Sequence, residues 1–114
     1  MNRDELYLRD IVEAIRLVER YAAGKTYAIA DDELVRTWVL YHLMVIGEAA
    51  RSLSPQTRAM HPEVPWRRIG DLRNVIVHQY SGVDIPTVRL VVERDLPELK
   101  RTVEAILQSF RCDQ

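Results

Sequence analysis

Apolar side chains recur three and four residues apart through nearly the whole chain, and nowhere do they alternate. Leu8, Ile11, Val12, Ile15, Val18 and Ala22 make one such stripe. Leu34, Val35, Trp38, Tyr41, His42, Val45, Ile46, Ala49 and Leu53 make a second, broader one. Ile85, Val88, Val91, Val92, Leu99, Val103, Ile106 and Phe110 make another. A helix turns about 100° per residue, so this spacing gathers apolar groups on one face, whereas a strand would need every second residue. The pattern predicts an all-α fold, an antiparallel up-down bundle of four main helices plus a short extra one. At 114 residues, 47% of them apolar and 29% charged, the chain is expected to be one helical domain (1–114). A domain of that size buries roughly two-thirds of its unfolded surface.

The boundaries follow from capping residues. Asn2 with Glu5 three residues on reads as a capping box, and Gly24 as the stop of the first helix. Lys25 to Ala30 is a short connection with room for one helical turn. Asp31-Asp32-Glu33 puts negative charge where a helix N-terminus favours it, and the second helix runs to about Leu53. Gly47 inside that helix costs about 1 kcal/mol relative to alanine, which implies that another backbone passes close by. Ser54-Pro55 starts a short third helix, and His61-Pro62-Glu63-Val64-Pro65 ends it. A fourth helix is expected over Trp66 to Tyr80, stopped by Ser81-Gly82. Asp84 with Pro86 caps a fifth, in which Pro97 predicts a kink or break near Asp95.

Composition excludes several classes of function. The net charge is −1, so no whole-molecule field draws nucleic acid or anionic membrane, and any phosphate site must be local. One cysteine, Cys112, leaves no disulfide framework and fits a reducing cytoplasm, the expected location. The charged start Met1-Asn2-Arg3-Asp4-Glu5 is unlike a secretory signal, and no apolar run approaches the ~20 residues that span a bilayer. The histidines are His42, His61 and His78, none spaced with a carboxylate as a metal site in a bundle requires, so no metal is expected. Four scattered glycines make no phosphate loop, and no cofactor is expected.

One stretch carries chemistry. Arg73-Asn74-Val75-Ile76-Val77-His78-Gln79-Tyr80 packs an arginine, an amide, an imidazole and a phenol between β-branched apolar residues. On a helix, Arg73 and Tyr80 return to nearly one face, while Asn74 and His78 form a neighbouring stripe. Arginine grips phosphate as a fork and stabilises charge developing on phosphorus. Histidine exchanges protons at neutral pH, and Asn74 one turn earlier is placed to fix its tautomer. The set suits metal-independent RNA cleavage, in which a 2′-hydroxyl attacks the adjacent phosphorus, with His78 as acid/base and Arg73 as clamp. Arg67, Arg68 and Arg73 against Asp71 add a modest basic patch. Such cleavage needs a proton removed at one end and delivered at the other, so a lone His78 points to a symmetric homodimer that supplies a second.

These residues resemble a known family. Arg73-x4-His78-x-Tyr80 is similar to the R-x4-H-x-Y motif of the HEPN superfamily, in its HepT-like toxin branch. Ile46-Gly47-Glu48-Ala49-Ala50 resembles that branch's IGEA segment, and Pro65-Trp66…Ile69 before Arg73-Asn74 its PW-x2-I…RN run. The likeness extends from the first helix to about Leu107. It implies an HEPN-like helical homodimer with an RNase site, Arg73 and His78, in a cleft at the dimer interface. It further implies the toxin of a toxin–antitoxin pair, neutralised by a minimal nucleotidyltransferase antitoxin that transfers AMP to the tyrosine, here Tyr80. Gln79 and Ser81 depart from the family's usual aspartate and aromatic beside that tyrosine. The competing reading is a non-catalytic helical module that binds nucleotide or a partner protein.

The remaining polar residues have plainer readings. Glu48, on an otherwise apolar helix, is expected either to pair with Arg73 or an arginine across the interface, or to face solvent. His42 reads as a packed core or interface histidine, and Trp38, Tyr41 and Trp66 as packing.

Overall fold

Each of the main helices begins where a polar side chain meets the free N–H groups of a first turn. The computed structural model describes residues 2–74 and 82–112, and among these every regular element is helical. Helix α1 is Arg3–Ala22, and the Asn2 side-chain oxygen accepts from the Asp4 N–H at 2.7 Å. Glu5 does not complete a capping box. It turns into the protein, 3% exposed, with Arg9 4.0 Å away. The chain leaves α1 through Gly24 at φ +72°, a left-handed turn that glycine adopts without strain. α2 (Ala28–Asp31) is the single turn expected in the connection.

α3 (Glu33–Ser52) is capped by Asp32, whose carboxylate accepts from the Leu34 and Val35 N–H groups at 2.9 and 3.3 Å. α4 (Pro55–Met60) is capped by Ser54 through the Thr57 N–H, with a proline at its start. α5 (Trp66–Gly70) follows, then a 3-10 turn over Asp71–Arg73. α6 (Ile85–Leu90) is capped by Asp84, which accepts from the Thr87 N–H and hydroxyl. A wider π turn, Val91–Asp95, leads without interruption into α7 (Leu96–Cys112). In it the Leu96 N–H reaches back five residues to the Val91 carbonyl. The irregularity expected upstream of Pro97 therefore takes the form of a π bulge that keeps the helix continuous.

The bundle is all-α, and α1 lies between α3 and α7. Trp38 Nε1 donates to the Leu17 carbonyl at 2.6 Å, and the Asp4 carboxylate accepts from Ser54, so α1 and α3 run antiparallel. Lys100–Glu19 (2.8 Å) and Arg16–Glu104 (3.4 Å) tie α7 to α1, also antiparallel. Leu8, Ile11, Ile15 and Val18 of α1 meet Val39, Leu43 and Ile46 of α3 and Leu96 and Val103 of α7, all fully buried. Each such side chain contributes about 1.5–3 kcal/mol on leaving water. No described helix is long and apolar enough to cross a membrane.

Two further expectations need correction. The stripe read on α3 includes Leu34 and Tyr41, which are 82% and 55% exposed, and omits Val39 and Leu43, which are fully buried. α3 is apolar on two sides, and only packing against α1 decides which one is core. The expected continuous helix from Trp66 to Tyr80 tightens from α to 3-10 at Asp71, and its remainder, 75–80, lies outside the described residues.

Asp4 joins the two ends of the α1–α3 hairpin. Its carboxylate accepts from the Ser54 N–H (3.0 Å), the Ser54 hydroxyl (2.6 Å) and the Thr57 hydroxyl (2.5 Å). Burial opposes ionisation, but the hydrogen bonds from Ser54 and Thr57, aided by Arg3, outweigh it and hold the carboxyl below its ordinary value. A depressed folded value means that this stabilisation is complete at neutral pH and is lost as pH falls through that value. Asp4→Asn, measured by thermal denaturation at pH 7, is expected to cost about 1.5–3 kcal/mol, the range for hydrogen bonds to a charged group. The gap between variant and native protein should close in acid, and an equal gap at every pH would contradict the role given to the charge.

Candidate active site

Glycine sets the position of the candidate arginine. A Cβ built on Gly47 would stand 3.0 Å from the Arg73 nitrogen and 3.1 Å from the Gly70 carbonyl oxygen. Both atoms are backbone, so neither can swing aside. α3 and the Gly70–Arg73 segment therefore cross so closely that a methyl group would fit only if one backbone gave way by a few tenths of an ångström, the close approach that Gly47 implied. One residue further along α3, Glu48 leaves this crossing on the solvent side and meets Arg73, Oε1 to Nε, at 3.1 Å.

Both side chains of the pair are about half exposed, 52% for Glu48 and 46% for Arg73. Pairing and solvent exposure, the alternatives for Glu48, are both found. An ion pair this open contributes only about 0.2–1 kcal/mol, so its main effect is to aim the guanidinium. Contact through Nε leaves the two terminal nitrogens to form a fork toward an oxyanion. Asn74 is exposed beside Arg73. His78 and Tyr80, the other candidates, lie outside the described residues, so their distances to Arg73 are not part of this geometry.

His42 is packed. It is 6% exposed, its Nδ1–H donates to the Trp38 carbonyl at 2.7 Å, and the Trp38 and Tyr41 rings flank it at 4.5 and 5.0 Å. The imidazole is thus held by its own helix and by aromatic neighbours, as the packing reading predicted. His61, given no role, sits 3.5 Å from Glu63, and its carbonyl accepts from the Trp66 indole. Among the described residues no group of three or more His, Cys, Asp or Glu side chains converges as metal ligands.

Two residues escaped the sequence reading. Arg51 of α3 and Arg58 of α4 lie far from the motif along the chain yet border the same surface as Arg67 and Asp71. Their only sequence signal is charge at the ends of elements that face the Trp66–Arg73 segment, and that is visible only once the helices are packed.

Comparison with known proteins decides the family. The model of the ribonuclease HepT-like family matches residues 11–106. The chain belongs to the ribonuclease HepT-like family. A protein of Thermococcus cleftensis named "Probable ribonuclease HepT" is 34% identical over 88% of this chain and 92% of its own length. One of Methanocaldococcus jannaschii, named "Putative RNase", is 32% identical over 88% of this chain and 93% of its own. A second from that organism, named as a gamma-glutamylcyclotransferase and putative RNase, is 31% identical over 96% of this chain, which spans half of that longer protein. No solved structure matches. The HepT-like match includes both sides of the crossing, Gly47-Glu48 and Gly70–Arg73.

Gly47→Ala should test the crossing. Helix propensity alone would favour alanine by about 1 kcal/mol, whereas overpacking against fixed backbone costs about 1–3 kcal/mol. The expected outcome in chemical denaturation is a net loss of stability, with a larger loss for Gly47→Val. A gain on Gly47→Ala would show that the segment bearing Arg73 does not rest on α3.

Proposed function

We propose that this HepT-like chain is a metal-independent endoribonuclease toxin. Arg73 grips the scissile phosphate through its terminal nitrogens, held by Glu48. The 2′-oxygen bonds to phosphorus as it loses its proton, and the bond from phosphorus to the 5′-oxygen breaks as that oxygen gains one. The products are a 2′,3′-cyclic phosphate and a free 5′-hydroxyl. His78 serves one proton transfer, and His78 of a second copy serves the other, which places the site in a cleft between two protomers. Asn74 orients the imidazole.

The observation that carries this reading is an exposed arginine paired with a carboxylate, within the residues that match a ribonuclease family. The outer face of α3 supports the dimer. Leu34, Trp38, Tyr41, Val45 and Glu48 follow the alternating four- and three-residue spacing of a helix-pairing seam, and Leu34 and Tyr41 are exposed on it. The seam ends at the Glu48–Arg73 pair, so a second copy seated there would border the site.

In this reading the partner is a nucleotidyltransferase antitoxin that neutralises the toxin by AMP transfer to Tyr80. The α-phosphorus of ATP bonds to the phenolate oxygen, the phenol proton passes to a base, and pyrophosphate leaves.

Expressed without antitoxin, the native chain should arrest growth and degrade RNA, and His78→Ala should not. Removing a general acid–base group costs about 10²–10⁴-fold. Equal toxicity of folded His78→Ala would sink the nuclease reading in favour of a non-catalytic binding module. Co-expressed with antitoxin, the chain should gain the mass of AMP, and Tyr80→Phe should not. A neutralised complex of unmodified mass would mean inhibition by masking alone.

A further inference from the structure

Beside the Arg73 crossing lies a groove of about 730 Å³ between the end of α3, α4 and α5. Arg51, Arg58 and Arg67 line it, with Asp71 as the acid in its wall. Among the described residues none of the three arginines has a carboxylate within ion-pairing distance, whereas the arginines that line two other surface grooves each have one. Arg16 meets Glu104 in one surface groove, and Arg68 meets Asp95 at 2.7 Å in another. Arg73 has Glu48, and Arg89 has Glu93. Three unmatched guanidinium groups facing one hollow repel each other and remain only weakly compensated by Asp71. A polyanion supplies what the groove lacks.

Gly70 shapes the groove as Gly47 shapes the crossing. A Cβ on Gly70 would lie 2.7 Å from Cγ of Arg51. The aliphatic stem of Arg51 thus lies flat across α5 where a glycine leaves room, which brings its charged end to the groove from α3. Arg67 and Asp71 stand on the same short segment that ends in Arg73. One wall of the groove and the candidate catalytic arginine are therefore on one short piece of backbone, pressed against α3.

We propose that this groove is an RNA-strand subsite, in which Arg51, Arg58 and Arg67 hold phosphates flanking the one presented to Arg73. The proposal rests on the ribonuclease reading for its ligand, and on the unmatched arginines and Gly70 for its location. Sequence-independent phosphate contacts of this kind fix the register of a strand without reading its bases.

The test is the salt dependence of binding, using a labelled short oligouridylate and the full chain carrying His78→Ala so that the probe stays intact. Each single-strand phosphate contact contributes about 0.7 to the slope of log affinity against log salt. Adding Arg58→Ala and Arg67→Ala should lower that slope by about 1.4 and weaken binding about tenfold or more at low salt. Arg101→Ala, which removes one charge from α7, should leave the slope unchanged, and Arg58→Lys with Arg67→Lys should restore most of it. Circular dichroism checks that the variants stay helical. An unchanged slope, or an equal effect from Arg101→Ala, overturns the subsite. So does loss of antitoxin binding with the RNA slope intact, which would make the groove a protein-docking surface. Failure of the native chain to cleave RNA, with these slope changes still seen, would remove the nuclease reading and leave the groove.

Discussion

At Gly47 the backbone of α3 presses against that of the Gly70–Arg73 segment more closely than almost any side chain tolerates, and much of the molecule is arranged around that contact. Two helical segments this close resist rotation or sliding of one against the other. Whatever stands on the second segment inherits the rigidity of the first, and α3 is fixed along its length by α1. Arg73 is placed by backbone, and its guanidinium is then turned by Glu48, the residue next to the glycine. A flexible arginine on an open helix would lose rotamer freedom each time it gripped a phosphate. Here part of that ordering is already done.

The same crossing explains why the Trp66–Arg73 segment is not a simple helix. Five residues of α-helix tighten into a 3-10 turn as the chain passes Gly47. The tighter winding carries the Arg73 nitrogen to the α3 surface while Leu72 stays in the core, 7% exposed. Arg68 meanwhile reaches Asp95 in the π turn before α7. The segment is thus held from two sides, by α3 beneath and by the α6–α7 unit alongside, and its outer face is left for arginines.

Local signals in the sequence were legible where the physics is local. Asn2, Asp32, Ser54 and Asp84 cap helices because a short polar side chain reaches a free N–H two or three residues on, and no distant contact is needed. Gly47 and Glu48 were legible because each is anomalous on an apolar helix. Helix α3 was misread in part because both of its sides are apolar, so spacing alone could not tell the buried Val39 and Leu43 from the exposed Leu34 and Tyr41. Capping at Glu5 failed because burial against the bundle competed with the helix end. The groove arginines were invisible for a different reason. Arg51 and Arg58 come to Arg67 only through the folding of three elements, and no motif spacing records that meeting.

The account stands on Arg73 acting in the position that Glu48 gives it. A double-mutant cycle on the rate of RNA cleavage measures this directly, with Glu48→Gln made both in the native chain and in one already carrying Arg73→Ala. Misplacing a catalytic group by about 1 Å can cost on the order of 10²-fold, so Glu48→Gln should slow the native enzyme about tenfold or more. It should do nothing further once Arg73 is alanine. The same fold loss in both backgrounds would mean that Glu48 acts independently of Arg73, and the central claim would be wrong.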